Sequence, residues 1–405
     1  MENQVTFDNT IKDPLIKKAL EDMGISEPTD IQKSTLPYIY EGCDIIGQSS
    51  TGSGKTLAFA LPIVEHIKAL EGLQAIILVP TRELCEQVAQ DFRKVAKYKQ
   101  ANVLQIYGGV SIEEQIKKIP RANIIVATPG RTCDLLNRRV LRLDMIKIVV
   151  LDEADRMLDM GFIKDVEFII KATPNKRQTL MFCATLPKEI QHIINRHMHD
   201  PKLIKAKEHV DRELLKQYYY DITVRNRFHL LVYLLKQERA PYAIVFCGTR
   251  RAVDLIAYNL DKNGINARAI HGGLTQSRRK QVIDSFHGKS TQILVASDIA
   301  ARGLDIKMLS HVYNFDVPKT AKEYIHRIGR TARAGEEGIA ITLVSEKDYD
   351  NFQRVISDRS LRIEKLPTPQ FPIAQFTPFT QRYHATRPHH ARFGRKPRFY
   401  NRRHY

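Results

Sequence analysis

Residues 145–160 read MIKIVVLDEADRMLDM. An apolar run from Ile146 to Leu151, interrupted only by Lys147, breaks directly into Asp152, Glu153, Ala154 and Asp155. The run has the length and β-branched content of a strand buried on both faces. Three carboxylates in four residues at the end of such a strand need a positive partner, because a charge taken out of water is costly unless it is paired or bound to a cation. The partner would sit where open parallel sheets form their ligand crevices, at the carboxyl ends of the strands.

Similar runs recur on either side. Ala75–Val79, Ile124–Ala127 and Leu180–Ala184 join Ile146–Leu151 in one series; Ala243–Cys247, Ile293–Ala296, His311–Phe315 and Ile339–Val344 form a second. Amphipathic stretches such as 55–71, 82–97, 251–263 and 276–287 separate them. Apolar strands alternating with helices predict an α/β fold: two tandem domains, each a parallel sheet flanked by helices. The length of 405 residues fits two domains. Charge replaces the apolar pattern at 203–213, LIKAKEHVDRE, so the expected division is 1–207, 208–365 and a tail, 366–405.

Composition narrows the function. The chain is 43% hydrophobic and 27% charged, which is globular. Its apolar stretches fall short of the ~18 residues that cross a membrane. The N-terminus, MENQVTFDNTIKD, lacks the basic-then-apolar pattern of a secretion signal. Five scattered cysteines without a CxxC pair argue against a disulfide framework or a zinc site and for reduced thiols in the cytoplasm. The net charge is +18, and residues 366–405 carry +8 of it with no Asp or Glu. That tail, rich in Arg, Pro, His and aromatics, is expected to be disordered when unbound. Its charge points to a polyanion, nucleic acid ahead of membrane.

Residues 49–56, SSTGSGKT, follow the short strand 44–47 and precede the helical pattern TLAFALPIVEHI. This is a phosphate-binding loop in the right context. Gly52 and Gly54 let backbone N–H groups of Ser49, Ser50, Thr51 and Ser53 turn toward an anion, and the helix start adds its positive dipole end. Lys55 supplies a cation for the terminal phosphates, and the Thr56 hydroxyl suits Mg²⁺. The species opposite the carboxylates is then Mg²⁺ carried by a nucleoside triphosphate, held by Asp152 and Thr56. Glu153 is left to orient and deprotonate the attacking water.

From these motifs onward the chain resembles the DEAD-box RNA helicases of superfamily 2, over roughly residues 7–345. The resemblance implies two RecA-like domains, ATP and Mg²⁺ as cofactors, and RNA as the partner. Gly24-Ile-Ser-Glu-Pro-Thr29-Asp-Ile-Gln32, with Phe7 upstream, is similar to the adenine-reading Q motif. A Gln amide can pair with the N6 and N7 edge of adenine, and Phe7 offers a stacking face. Pro80-Thr81-Arg82-Glu-Leu, Gly108-Gly109 and Thr128-Pro-Gly-Arg131 resemble the RNA-backbone contacts of the first domain. Gly248-Thr249-Arg250 and Gln276-Ser-Arg-Arg279 resemble those of the second. The stretch 297–305 resembles motif V, with Arg302 on RNA and Gly303 and Asp305 on the nucleotide. His326-Arg-Ile-Gly-Arg330-Thr-Ala-Arg333 resembles motif VI, which makes Arg330 and Arg333 the arginine fingers. The resemblance also implies that Asp155, Cys183, Thr185 and His326 couple hydrolysis to strand separation.

Four positions depart from the family pattern: Ser49 for the first loop Gly, Cys183 for the motif III Ser, Gly273 for Asp and Ala332 for Gly. A thiol donates weakly, so looser coupling with hydrolysis retained is expected. RNA contacts made to phosphate and sugar imply binding largely independent of sequence; ribonucleoprotein partners and a monomeric core without membrane attachment are further expectations. Two other readings stay open: an ATP-gated RNA clamp with little unwinding, and a DNA-directed translocase of the same superfamily.

Overall fold

A computed structural model describes residues 5–49, 53–205, 214–238, 242–301, 309–332 and 337–378. Among the described residues, fourteen strands form two sheets of seven. The first holds β1 (Ile45–Gln48), β2 (Ala75–Leu78), β3 (Val103–Ile106), β4 (Ile124–Ala127), β5 (Ile148–Asp152), β6 (Gln178–Cys183) and β7 (Lys202–Lys205). The second holds β8 (Leu215–Asp221), β9 (Ala243–Phe246), β10 (Ala267–Ile270), β11 (Ile293–Ala296), β12 (His311–Asn314), β13 (Gly338–Val344) and β14 (Glu364–Lys365). The spatial orders are β3-β4-β2-β5-β6-β1-β7 and β10-β11-β9-β12-β13-β8-β14. Counted from each sheet's first strand these are the same order, so one topology is used twice. The strand pairs are parallel throughout.

Parallel strands need helical crossovers, and these cover both faces. Side chains alternate accordingly. On β2, Ala75 and Ile77 enter one apolar cluster, and Ile76 and Leu78 enter the other. The helix Arg82–Val95 shows the matching period. Leu84, Cys85, Val88, Ala89, Phe92 and Val95 are all buried, while Arg93 and Lys94 lie in its last turn, where cations suit the negative end of the helix dipole.

Two boundaries differ from the sequence pattern. The helix expected over 55–71 ends at His66, because Ile67 turns extended and the Gln74 side chain bonds both the N–H and the C=O of Lys68. The tail expected to be disordered from 366 begins instead with an ordered strap. After β14 pairs with β8, residues 366–378 run over the helices Arg227–Gln237 and Arg250–Lys262. Phe371 meets Tyr233 and Phe376 meets Phe228. Asn259 bonds both the N–H and the C=O of Thr377, and Asn263 does the same for Gln375. Pro-rich sequence hid this strap because it forms no periodic element. The Arg-rich remainder, 379–405, and the expected domain boundary at 207/208 lie outside the described residues.

Candidate active site

The strands β5, β6 and β1 lie side by side, so their carboxyl ends deliver three segments to one crevice. From β1 comes the loop that ends in Gly54 and Lys55. Gly54 has φ +91°, and a Cβ there would press on Gln32 Nε2 and Thr29 Oγ1. Only glycine fits that turn and that approach. Lys55 opens the helix Lys55–His66, is buried, and donates from Nζ to the Ser49 carbonyl at 3.0 Å. Ser53 Oγ lies 2.9 Å from Ser49 Oγ. Thr56 follows in the first helical turn. Ser50, Thr51 and Gly52 lie outside the described residues.

From β5 come the acids. Asp152 is 3% exposed, and its Oδ1 accepts the N–H of Glu153 at 3.0 Å. Burial pushes its carboxyl up to about 6, with the charge of Lys55 pulling the other way. Glu153 stands in the left-handed region, φ +52°, at the cap of the helix Ala154–Asp159. Burial would raise its carboxyl, but the cations Arg156, Lys55 and Arg330 outweigh that and hold it below its usual value. Arg330 belongs to the second domain and is itself buried. An acid of the first domain and an arginine of the second thus share one electrostatic site.

From β6 comes the third segment. Asp155 Oδ2 accepts the N–H and the Oγ1 hydroxyl of Thr185, each at 2.9 Å. Cys183 sits in the apolar cluster under β6, and burial pushes its thiol up to about 12. No hydrogen bond from its sulfur to Asp155 is present among the described residues. The link to Asp155 is made by Thr185.

The base-recognition residues are less open than their sequence suggests. Phe7 is 5% exposed and packs into the first-domain core rather than presenting a free ring. Gln32 is buried; its Oε1 accepts the Thr29 N–H, and its Nε2 donates to the Gly54 carbonyl. Each amide group keeps one further hydrogen-bonding position. Gln32 therefore braces the phosphate loop.

The remaining site residues fall on a duplicated pattern. Thr81 caps the helix after β2 and Thr249 the helix after β9; Arg82 and Arg250 are the first residues of those helices. A glycine pair follows β3 and another follows β10. A Cβ on Gly109 would overlap the Arg82 guanidinium, and the Arg250 guanidinium lies against Gly272. Pro80 is buried ahead of Thr81, and Thr128 stands at the N-cap position of the helix Pro129–Asn137 without a side-chain capping bond. Arg131 bonds Gln115 and the Val110 carbonyl. Gln276 opens the helix Gln276–His287. Arg279 on that helix reaches across to the first domain and pairs with Glu83 at 2.9 Å. His326 is half-buried on the helix Ala321–Ile328. Arg302, Gly303, Asp305 and Arg333 lie outside the described residues.

Several organising residues carry no motif role in the sequence. Arg156 forms a buried ion pair with Glu153. Arg327 pairs with Asp298 and bonds Asn314 and the Asp316 carbonyl, which fixes the helix leading to Arg330. Arg227 is 1% exposed and pairs with Asp316, whose other oxygen holds the Gly248 N–H and so the Thr249–Arg250 turn. For Arg227 the available signal was a charged residue opening an otherwise largely apolar stretch, RFHLLVYLL.

Fold and site together define a P-loop α/β protein of two RecA-like domains. Family models agree: the DEAD/DEAH box helicase model matches residues 29–193, and the helicase conserved C-terminal domain model matches 226–335. The chain is 43% identical over 357 residues to the DEAD-box ATP-dependent RNA helicase CshA of Geobacillus kaustophilus, covering 87% of this chain and 76% of that one. It is 45% identical over 361 residues to the ATP-dependent RNA helicase CshA of Listeria monocytogenes, covering 88% and 69%. The chain belongs to the DEAD-box helicase family. Among solved structures, S. cerevisiae Dbp5 bound to RNA and ADP BeF3 aligns with a TM-score of 0.79 at 29% identity, covering 90% of this chain and 96% of that one. A DEAD-box protein from Methanococcus jannaschii is 40% identical yet scores 0.55, covering 89% and 99%.

Proposed function

We propose that this protein is an ATP-dependent RNA helicase, in which RNA-stimulated ATP hydrolysis drives local separation of RNA duplexes or remodelling of RNA–protein complexes. The observation that carries this reading is Glu153 flanked by Lys55 and Arg156 of its own domain and by Arg330 of the other. Hydrolysis then depends on how the two domains meet.

Lys55 and the loop 49–56 would bind the phosphates, with Gln32 and Thr29 bracing that loop and the free hydrogen-bonding positions of Gln32, near Phe7, reading the adenine. Asp152 and Thr56 are hard oxygen donors beside the phosphate loop, and Mg²⁺ is commonly held by one or two carboxylates plus phosphate oxygens. When bound there, Mg²⁺ would neutralise charge on the β- and γ-phosphates. Glu153 would take the proton of the attacking water, and Arg330, with Arg333, would stabilise the charge of the transferring phosphoryl group. Asp155 and Thr185 would relay the state of the site to β6. Gly303 and Asp305 would reach the nucleotide from the second domain.

Thr81, Arg82, Gly109, Thr128 and Arg131 on one domain, and Thr249, Arg250, Gln276, Arg279 and Arg302 on the other, would hold the RNA backbone. Such contacts give little base preference and strong salt dependence. The five unpaired cysteines fit a reducing compartment, which supports a cytoplasmic location. We take the core to be monomeric.

The test is steady-state ATP hydrolysis with single-stranded RNA, single-stranded DNA or duplex DNA, in wild type and Glu153→Gln. Stimulation by RNA alone, lost in Glu153→Gln, is the expected result. Equal stimulation by DNA would favour a DNA translocase instead.

A further inference from the structure

Among the described residues, Glu153 is held at its backbone and, in its side chain, hydrogen-bonded by one residue. Its N–H is bound by Asp152, and its carbonyl accepts from the N–H groups of Arg156 and Met157 at 2.9 and 3.1 Å. Its Oε2 accepts from Arg156 Nη1, three residues along the helix, with both side chains about one-tenth exposed. Its Oε1 carries no hydrogen bond among the described residues. A glutamate side chain has three rotatable bonds, so a fixed backbone alone does not place its carboxylate.

We propose that Arg156 is a positioning residue for hydrolysis: it tethers Oε2 of Glu153 and so leaves Oε1 as the oxygen that receives the proton of the attacking water. The inference rests on Glu153 as the general base. In that step the water oxygen bonds to the γ-phosphorus, the bond to the bridging oxygen of ADP breaks, and the water proton passes to Oε1. A base displaced by an ångström loses much of its advantage, on the order of tenfold to a hundredfold. The guanidinium suits the task because its planar fork limits the orientation of the carboxylate it binds. Arg156 touches Glu153 rather than the reacting atoms, so it acts only through that contact.

The experiment compares RNA-stimulated ATP hydrolysis by the full chain as wild type, Arg156→Met, Arg156→Lys, Glu153→Gln and the double variant Glu153→Gln/Arg156→Met. Arg156→Met should lower kcat on the order of tenfold, with KM for ATP held within about twofold. Arg156→Lys should recover part of the loss. The double variant should be no slower than Glu153→Gln alone, since a tether without its base has nothing to position. An unchanged kcat in Arg156→Met, or losses that multiply in the double variant, would overturn the inference. If circular dichroism shows Arg156→Met to be unfolded, Arg156→Gln takes its place with the same expected loss. Full activity in Glu153→Gln would instead sink the assignment of the base itself; loss there with normal kcat in Arg156→Met sinks only the tether.

Discussion

At the scale of single residues, the site combines groups that spacing reveals with groups that it does not. Lys55, Thr56, Asp152 and Glu153 were legible because a glycine-rich loop and a strand-end acid pair have few other uses in this context. Arg156 was not, since an arginine in a helical stretch reads as a solvated face; its i+3 spacing from Glu153 was the signal available. The sequence marks Phe7 and Gln32 for base recognition; that they serve as core and brace was not legible, because burial depends on the helices around them. Gly54 makes the brace testable. Any side chain there meets Gln32 and Thr29 and must also adopt φ +91°. The strain costs on the order of 1–3 kcal/mol. Gly54→Ala should therefore weaken ATP binding on the order of tenfold or more while the protein stays folded, as read by titration with a fluorescent ATP analogue alongside thermal melting.

At the scale of elements, the strap 366–378 separates two things that composition merges. Its prolines, glutamines and aromatics read as the start of the basic tail, yet Asn259 and Asn263, four residues apart, hold its backbone on one helix face. Asn259 is fully buried. Truncating it leaves the Thr377 N–H and C=O without their partner, a loss of about 2 kcal/mol. Asn259→Ala should therefore lower the melting temperature by several degrees with little change in basal ATP hydrolysis. The same strap dictates where to cut. Removing 366–405 would strip packed residues from the second domain, whereas removing 379–405 takes away only the Arg-rich segment. The shorter deletion should weaken RNA binding at low salt and leave basal hydrolysis intact, by fluorescence anisotropy with a labelled single-stranded RNA. Equal affinity would mean that the segment's charge serves solubility.

At the scale of the molecule, two domains of identical topology must meet in one arrangement for Arg330 to approach Glu153. The repeated strand pattern made the two sheets legible, because each strand's apolar run is local. How the sheets face one another was not, because it depends on single long side chains far apart in sequence. Among the described residues, two ion pairs mark the meeting: Arg279 with Glu83, largely buried, and Lys322 with Asp159 at 3.4 Å, about a third exposed. The second links the helix that follows Glu153 to the helix that leads to Arg330. An exposed pair is worth about 0.2–1 kcal/mol, which amounts to a change of roughly 1.5- to 5-fold in the population of the closed arrangement. Reversing one charge converts that attraction into repulsion. Lys322→Glu should lower RNA-stimulated hydrolysis a few-fold, more at low salt than at high, and should leave hydrolysis without RNA nearly unchanged. Adding Asp159→Lys restores the pair with its charges exchanged and should recover most of the loss. Recovery in the double variant would tie the effect to this contact; two independent losses would place the cost in each helix separately, and the pair would then be incidental to domain closure.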